Sequence, residues 1–97
     1  MIEGIADILR SSPESEVIVE GHTDDIPLRA GGRYSSNWEL SLARAFSVVR
    51  YLVDVEGLVP ARFIPMGFGE HRPLFPNDTP EHRAENRRIE ICILKKS

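Results

Sequence analysis

Apolar residues recur in this chain with two different periods, and the switches between them mark its elements. Ile2, Ile5, Ile8 and Leu9 stand three to four apart, which predicts a first helix whose apolar side is that stripe, stopped by Pro13. Glu16 to Gly21 reads EVIVEG, a short β-branched run that predicts a buried strand. Residues 22–35 are polar and carry Pro27 and the Gly31-Gly32 pair, so they predict a loop. Ser36 and Glu39 then fit a capping box, in which the serine hydroxyl and the glutamate serve each other's free backbone N–H groups. Behind that box, Trp38, Leu42, Ala45, Phe46, Val49, Leu52 and Val53 form the apolar stripe of a second helix, closed by Gly57 and Pro60. At about 1.5 Å per residue it runs roughly 28 Å, the span of a small domain.

The second half is more broken. Arg62 to Gly67 predicts a strand, which Pro65 confines to a sheet edge or a bulge. Gly67 and Gly69 lead into a loop holding Pro73, Pro76 and Pro80, and a helical turn is expected over Glu81 to Asn86. Ile89, Ile91 and Ile93 alternate with Glu90 and Cys92, predicting a last strand in which Cys92 is a small buried residue. The order α-β-α-β-(short α)-β, without repeats, predicts an α/β sandwich of the α+β kind, with helices on one face of a small mixed sheet.

Length and charge narrow the function. A chain of 97 residues supports one domain, 1–97, with a modest core. Its 12 basic and 15 acidic residues are interleaved, for a net charge of −3, and without a basic stripe a nucleic-acid partner is not expected. No apolar run is long enough to span a bilayer, so an anchor or export signal is expected outside these residues. One cysteine excludes an internal disulfide.

The candidate chemistry gathers at three places. Asp24 and Asp25 follow the buried strand, beyond whose carboxyl end ligands commonly sit in open α/β sheets. Asp24 is the functional candidate, and Asp25 is expected to be solvated or to cap the turn. On a wheel of about 100° per residue, Asn37, Ser41 and Arg44 fall within about 60°, beside the apolar stripe and so at the rim of the core. A guanidinium there can grip a carboxylate through paired hydrogen bonds. The alternative is a closed Asp24/Arg44 ion pair in a purely structural domain. Asn86 is expected to bond loop backbone, with either Arg87 or Arg88 facing the site.

Other chemistries find little footing. His22, His71 and His82 match no metal-ligand spacing; His22 is expected to be solvated or turn-bonded, and no metal or other cofactor is expected. A metal hydrolase would need three ligands converging on His22. Gly67-Phe68-Gly69 lacks a third glycine and a following helix, so it is not a nucleotide loop. Ser41 has no base at a suitable spacing and no strained elbow, so no enzyme activity is expected.

EGHTDD, SNWELSLARA, VVRYL, MGFGEHRP, PNDT and ENRRIEI, in that order from about residue 2 to residue 95, resemble the OmpA-like peptidoglycan-binding domain family. SNWELS looks like its MotB branch, the flagellar motor stator proteins. The resemblance implies non-catalytic binding of peptidoglycan through the diaminopimelate side chain of its stem peptide. It implies that Asp24 of the Thr23-Asp24 pair faces the ligand ammonium, that Arg44 holds the carboxylate, and that Asn37 supports the same ligand, with Arg87 or Arg88 nearby. Family domains begin with a strand before the first helix, and that strand is not read here. The resemblance further implies a periplasmic domain of an inner-membrane-anchored protein, a homodimer, and a MotA-type partner reached through a segment outside these residues. A tether of the OmpA/Pal type, joining outer membrane to wall, is the alternative within the family.

Overall fold

Val17 and Val19 alternate with Glu16, Ile18 and Glu20, and this two-residue period forms the middle strand of the sheet. The computed structural model describes residues 2–94, and side chains from residue 4 onward. The Ile2 side chain of the first predicted stripe and residue 95 of the resemblance lie outside the described residues. The elements are α1 (Ile2–Arg10), β1 (Glu16–His22), α2 (Asn37–Asp54), β2 (Phe63–Gly69), α3 (Pro80–Asn86) and β3 (Arg88–Leu94), with a 3-10 turn at Pro60–Arg62. The sheet order is β2-β1-β3, with β2 parallel and β3 antiparallel to β1. Pro65 lies in β2, an edge strand, where its missing N–H leaves no central ladder bond unmade.

The core is a single apolar layer between the sheet and two helices. Val17 and Val19 of β1 meet Ala6 and Leu9 of α1, Ala45, Val49 and Leu52 of α2, and Leu58 and Phe63, with Ile89, Ile91 and Ile93 of β3 packed alongside. Ile8, expected on the inner stripe of α1, is exposed, and Ala6 takes its place. Cys92, expected to be buried, is exposed as well. The alternation in β3 is real, but the helices cover only one face of the sheet, so Cys92 and Leu94 point to the other.

The largest departure concerns α2. Trp38, Leu42 and Phe46 are 57%, 46% and 51% exposed, while Asn37 and Ser41 are buried. The cause is a close approach of helix to sheet. Gly21 and Gly67 are partners across β1 and β2. A Cβ at Gly67 would stand 2.6 Å from the Leu42 backbone nitrogen and 2.8 Å from Ser41 Oγ, and one at Gly21 would overlap the Ser41 carbonyl. The line of contact therefore carries small residues, and the bulky ones are rolled to its flank.

Both ends of α2 are fixed locally. Ser36 Oγ accepts the Glu39 N–H at 3.1 Å, and the Glu39 carboxylate accepts the Ser35 hydroxyl at 2.6 Å, so the expected return bond to the cap residue is replaced by one to its neighbour. At the other end Gly57 has φ +75°, and its N–H reaches the Val53 carbonyl at 3.2 Å. Arg62, read only as a strand start, is buried in the 3-10 turn; its Nε donates to the Ser15 carbonyl at 2.9 Å and its Nη2 to the Ser12 carbonyl at 2.8 Å. It thereby ties the α1–β1 turn to the start of β2.

Candidate functional site

The chain leaves β1 at His22 still held to β2, because the Thr23 N–H donates to the Gly69 carbonyl at 2.9 Å. Gly69 can end β2 there by adopting φ +60°, and its own N–H donates to Ser41 Oγ at 2.9 Å. The Ser41 hydroxyl donates in turn to the Trp38 carbonyl at 2.8 Å. Ser41 thus sits beneath the site rather than on its rim, and it joins α2, β2 and the Thr23 backbone in one network.

Asp24 follows at the strand's carboxyl end and is almost wholly buried. Its Oδ1 accepts the Ile26 N–H at 3.1 Å, which makes it a turn residue. Its Oδ2 accepts Arg87 Nη1 at 2.7 Å. Thr23 Oγ1 donates to the Asp24 carbonyl at 2.8 Å. Asn37, the first residue of α2, reaches across with Nδ2 to the Ile26 carbonyl at 3.1 Å and the Asp24 carbonyl at 3.4 Å. Strand end, loop and helix start are therefore held as one unit.

The closed Asp24/Arg44 pair, the structural alternative, does not form among the described residues. Asp24 is paired with Arg87, and Arg44 is exposed, with no hydrogen bond or ion pair among the described residues. Seven residues beyond Asn37, Arg44 lies within about 20° of it around the helix and about 10 Å further along the axis. It is an exposed cation on the helix whose first residue holds the Asp24 loop. Arg88 goes elsewhere: Nε bonds Glu90 Oε2 at 2.5 Å and Nη2 the Arg72 carbonyl at 3.0 Å. Successive residues entering a strand point to opposite sides, which separates the two arginines. Asp25, expected to be solvated or a cap, pairs with Arg83 Nε at 3.1 Å.

Asn86 is fully buried and spends its amide on the 74–77 loop. Oδ1 accepts the Leu74 and Phe75 N–H groups at 2.9 and 3.1 Å, and Nδ2 donates to the Phe75 carbonyl and Asn77 Oδ1 at 3.0 and 2.8 Å. One residue later the chain presents Arg87 to Asp24, so this locked amide sets where the arginine starts.

His22 is not solvated. It is 2% exposed, stacks on Phe68 with centroids 5.3 Å apart, and sets Nε2 3.2 Å from Glu20 Oε1. Glu20, His22 and Glu90 bring three potential ligand atoms within 4.8 Å of one another on the open face of the sheet. The donor set fits a metal poorly: Arg88 already occupies Glu90, and His22 Nδ1 has no partner among the described residues, whereas a ligating imidazole normally donates its other N–H. A groove of about 460 Å³ lies on the opposite flank of α2, lined by Tyr34, Glu39, Leu42, Ala43, Phe46 and Pro65, and includes none of the predicted site residues.

The OmpA family profile matches residues 1–87. The chain belongs to the OmpA family. Within that family it is 44% identical over 95 residues to the uncharacterized protein YtxE of Bacillus subtilis and 37% identical over 90 residues to Motility protein B of the same organism. Those matches cover 98% and 93% of this chain but only 38% and 34% of the relatives, so the chain spans little more than a third of their length. Among solved OmpA-family structures, the C-terminal domain of Helicobacter pylori MotB superposes with a TM-score of 0.90 at 35% identity, over 99% of this chain and 72% of that one. The cell wall anchor of the T6SS from Pseudomonas aeruginosa gives 0.85 at 39% identity, over 98% of this chain and 64% of that one. The mixed three-stranded sheet with its helices is thus the MotB-type OmpA-family arrangement.

Sequence reasoning missed Gly21, Gly67 and Arg62. The glycines are visible as such, but their importance depends on their being cross-strand partners under Ser41, and pairing register is not written in one strand. Arg62 carried no signal, since its acceptors are backbone carbonyls 47 and 50 residues away.

Proposed function

We propose that this OmpA-family domain, acting as one unit over residues 1–97, binds peptidoglycan without catalysis and anchors a flagellar-stator-type protein to the cell wall. The observation that carries the reading is the exposed Arg44, unpaired among the described residues, on the same line of α2 as Asn37, whose amide grips the Asp24 loop. A diaminopimelate side chain ends in an ammonium and a carboxylate on one carbon. In this reading the ammonium goes to Asp24 and the carboxylate to Arg44, while Thr23 and Asn37 hold the loop. Of the two candidate arginines, Arg87 serves the site, because it is the one beside Asp24, and Arg88 supports the sheet. The likeness to Motility protein B and to H. pylori MotB favours the stator role over an outer-membrane tether. With it go a periplasmic location, a homodimer, and a MotA-type partner engaged through other parts of the full-length protein.

The test is co-sedimentation with purified diaminopimelate-type sacculi. The native protein pellets with the wall, and Arg44→Ala stays in the supernatant with an unchanged thermal melt. Equal pelleting of both proteins would overturn the assignment.

A further inference from the structure

The carboxylate assigned to the ligand ammonium is not vacant. Asp24 Oδ1 is taken by the Ile26 N–H and Oδ2 by Arg87, in a position that is almost wholly buried. A ligand carrying only a positive charge meets a carboxylate that is already neutralised, and binding it would set a second cation against Arg87 in a poorly hydrated place. A ligand that brings its own negative charge faces no such obstacle. Its ammonium takes Asp24, its carboxylate meets Arg44 and receives the released Arg87, and the number of ion pairs rises. The Arg87 side chain is about half exposed, at 45%, and touches Asp24 through one nitrogen, so it can swing without disturbing the core.

We propose that Arg87 is the specificity-determining residue of this site: by occupying Asp24 in the free protein it makes zwitterionic diamino-acid side chains bind and excludes simple amines. The inference rests on the peptidoglycan reading above. It assigns Arg87 a task separate from general attraction, because deleting a merely attractive cation weakens every ligand with a carboxylate, whereas deleting a competitor for Asp24 helps ligands without one. Partner exchange also accounts for Arg87 and Arg44 being treated differently by the fold, one paired and the other without a partner among the described residues.

The probes are two stem tripeptides, identical except that one carries diaminopimelate and the other lysine, titrated calorimetrically against native protein, Arg87→Gln and Arg87→Lys. The native protein should prefer the diaminopimelate peptide by about tenfold or more, the size of one hydrogen bond between charged groups. In Arg87→Gln the ratio should fall by about threefold or more, because the lysine peptide binds more tightly than it does to native protein, while Arg44 keeps a residual preference for the diaminopimelate peptide. Arg87→Lys keeps the charge and one donor nitrogen, which is all that Arg87 uses on Asp24, and should keep the preference. A ratio unchanged in Arg87→Gln would overturn the assignment of Arg87 while leaving the peptidoglycan reading intact. Equal binding of both peptides to the native protein would overturn it without recourse to any variant. Binding of neither peptide would instead sink the peptidoglycan reading on which it rests.

Discussion

At the scale of single residues, the site divides its charges by burial. Asp24 is enclosed and doubly hydrogen-bonded, so it is costly to alter, whereas Arg44 is exposed and bonded to nothing among the described residues. Removing Arg44 should therefore change stability by less than about 0.5 kcal/mol while abolishing wall binding. A melt shift of several degrees in Arg44→Ala would show that the side chain has a structural contact and would weaken its place as the ligand's carboxylate grip. Arg62 is the converse case, a buried arginine whose two backbone acceptors make it part of the scaffold rather than of any site.

At the scale of elements, the path of α2 across the sheet decides which of its residues count. Gly21 and Gly67 leave room for the Ser41 and Leu42 backbone, and Gly21→Ala should cost on the order of 3 kcal/mol, because the added methyl meets a carbonyl rather than a movable side chain. For a domain of this size that lowers the melting temperature by more than about 10 °C. A stable Gly21→Ala protein would mean the helix can lift from the sheet without loss. Helix α3 offers a smaller, pH-dependent test. The hydrogen bond from His82, at 2.6 Å, holds the Asp78 carboxyl below its usual value. A carboxyl lowered on folding stabilises the native state above its unfolded value, and the contribution disappears as pH falls through the folded one. Asp78→Asn should therefore melt slightly below the native protein near neutral pH, and the two melts should converge in strong acid. A gap that widens on acidification would contradict the direction of the shift.

At the scale of the whole molecule, the sheet is covered on one face and flanked by two edge strands. Pro65 blunts the outer edge of β2, whereas β3 has no such device and no partner on its outer side among the described residues. A dimer built on that edge or on α1 is the expected solution state, and sedimentation equilibrium at micromolar concentration decides it; a clean monomer would count against it. Wall binding should weaken as salt rises, since Arg44 is exposed and its attraction for a carboxylate is screened over a Debye length of about 10 Å at 0.1 M. An affinity indifferent to salt would point to the apolar flank of α2 in place of the charged site.

The sequence by itself determined the order and kind of the elements, and it supplied the candidates for the site. Those features are local: a two- or three-to-four-residue period, a serine cap at Ser36, a glycine stop at Gly57, and paired short motifs such as Thr23-Asp24 and Arg87-Arg88. Only the tertiary structure decided which of two faces each element turns inward and which charges meet. Trp38, Leu42 and Phe46 look like core on a helical wheel, yet they lie outside, because the closest line of approach runs through Ser41 onto a glycine pair joined from two strands. Cys92 alternates as a buried residue would, yet it faces solvent, because a strand pattern does not say how many layers cover the sheet. Asp24 could have met either Arg44 or Arg87. The choice went to Arg87 because β3 runs antiparallel beside β1, which brings residue 87 to the strand end that residue 24 leaves, across 63 positions of chain that no local signal spans.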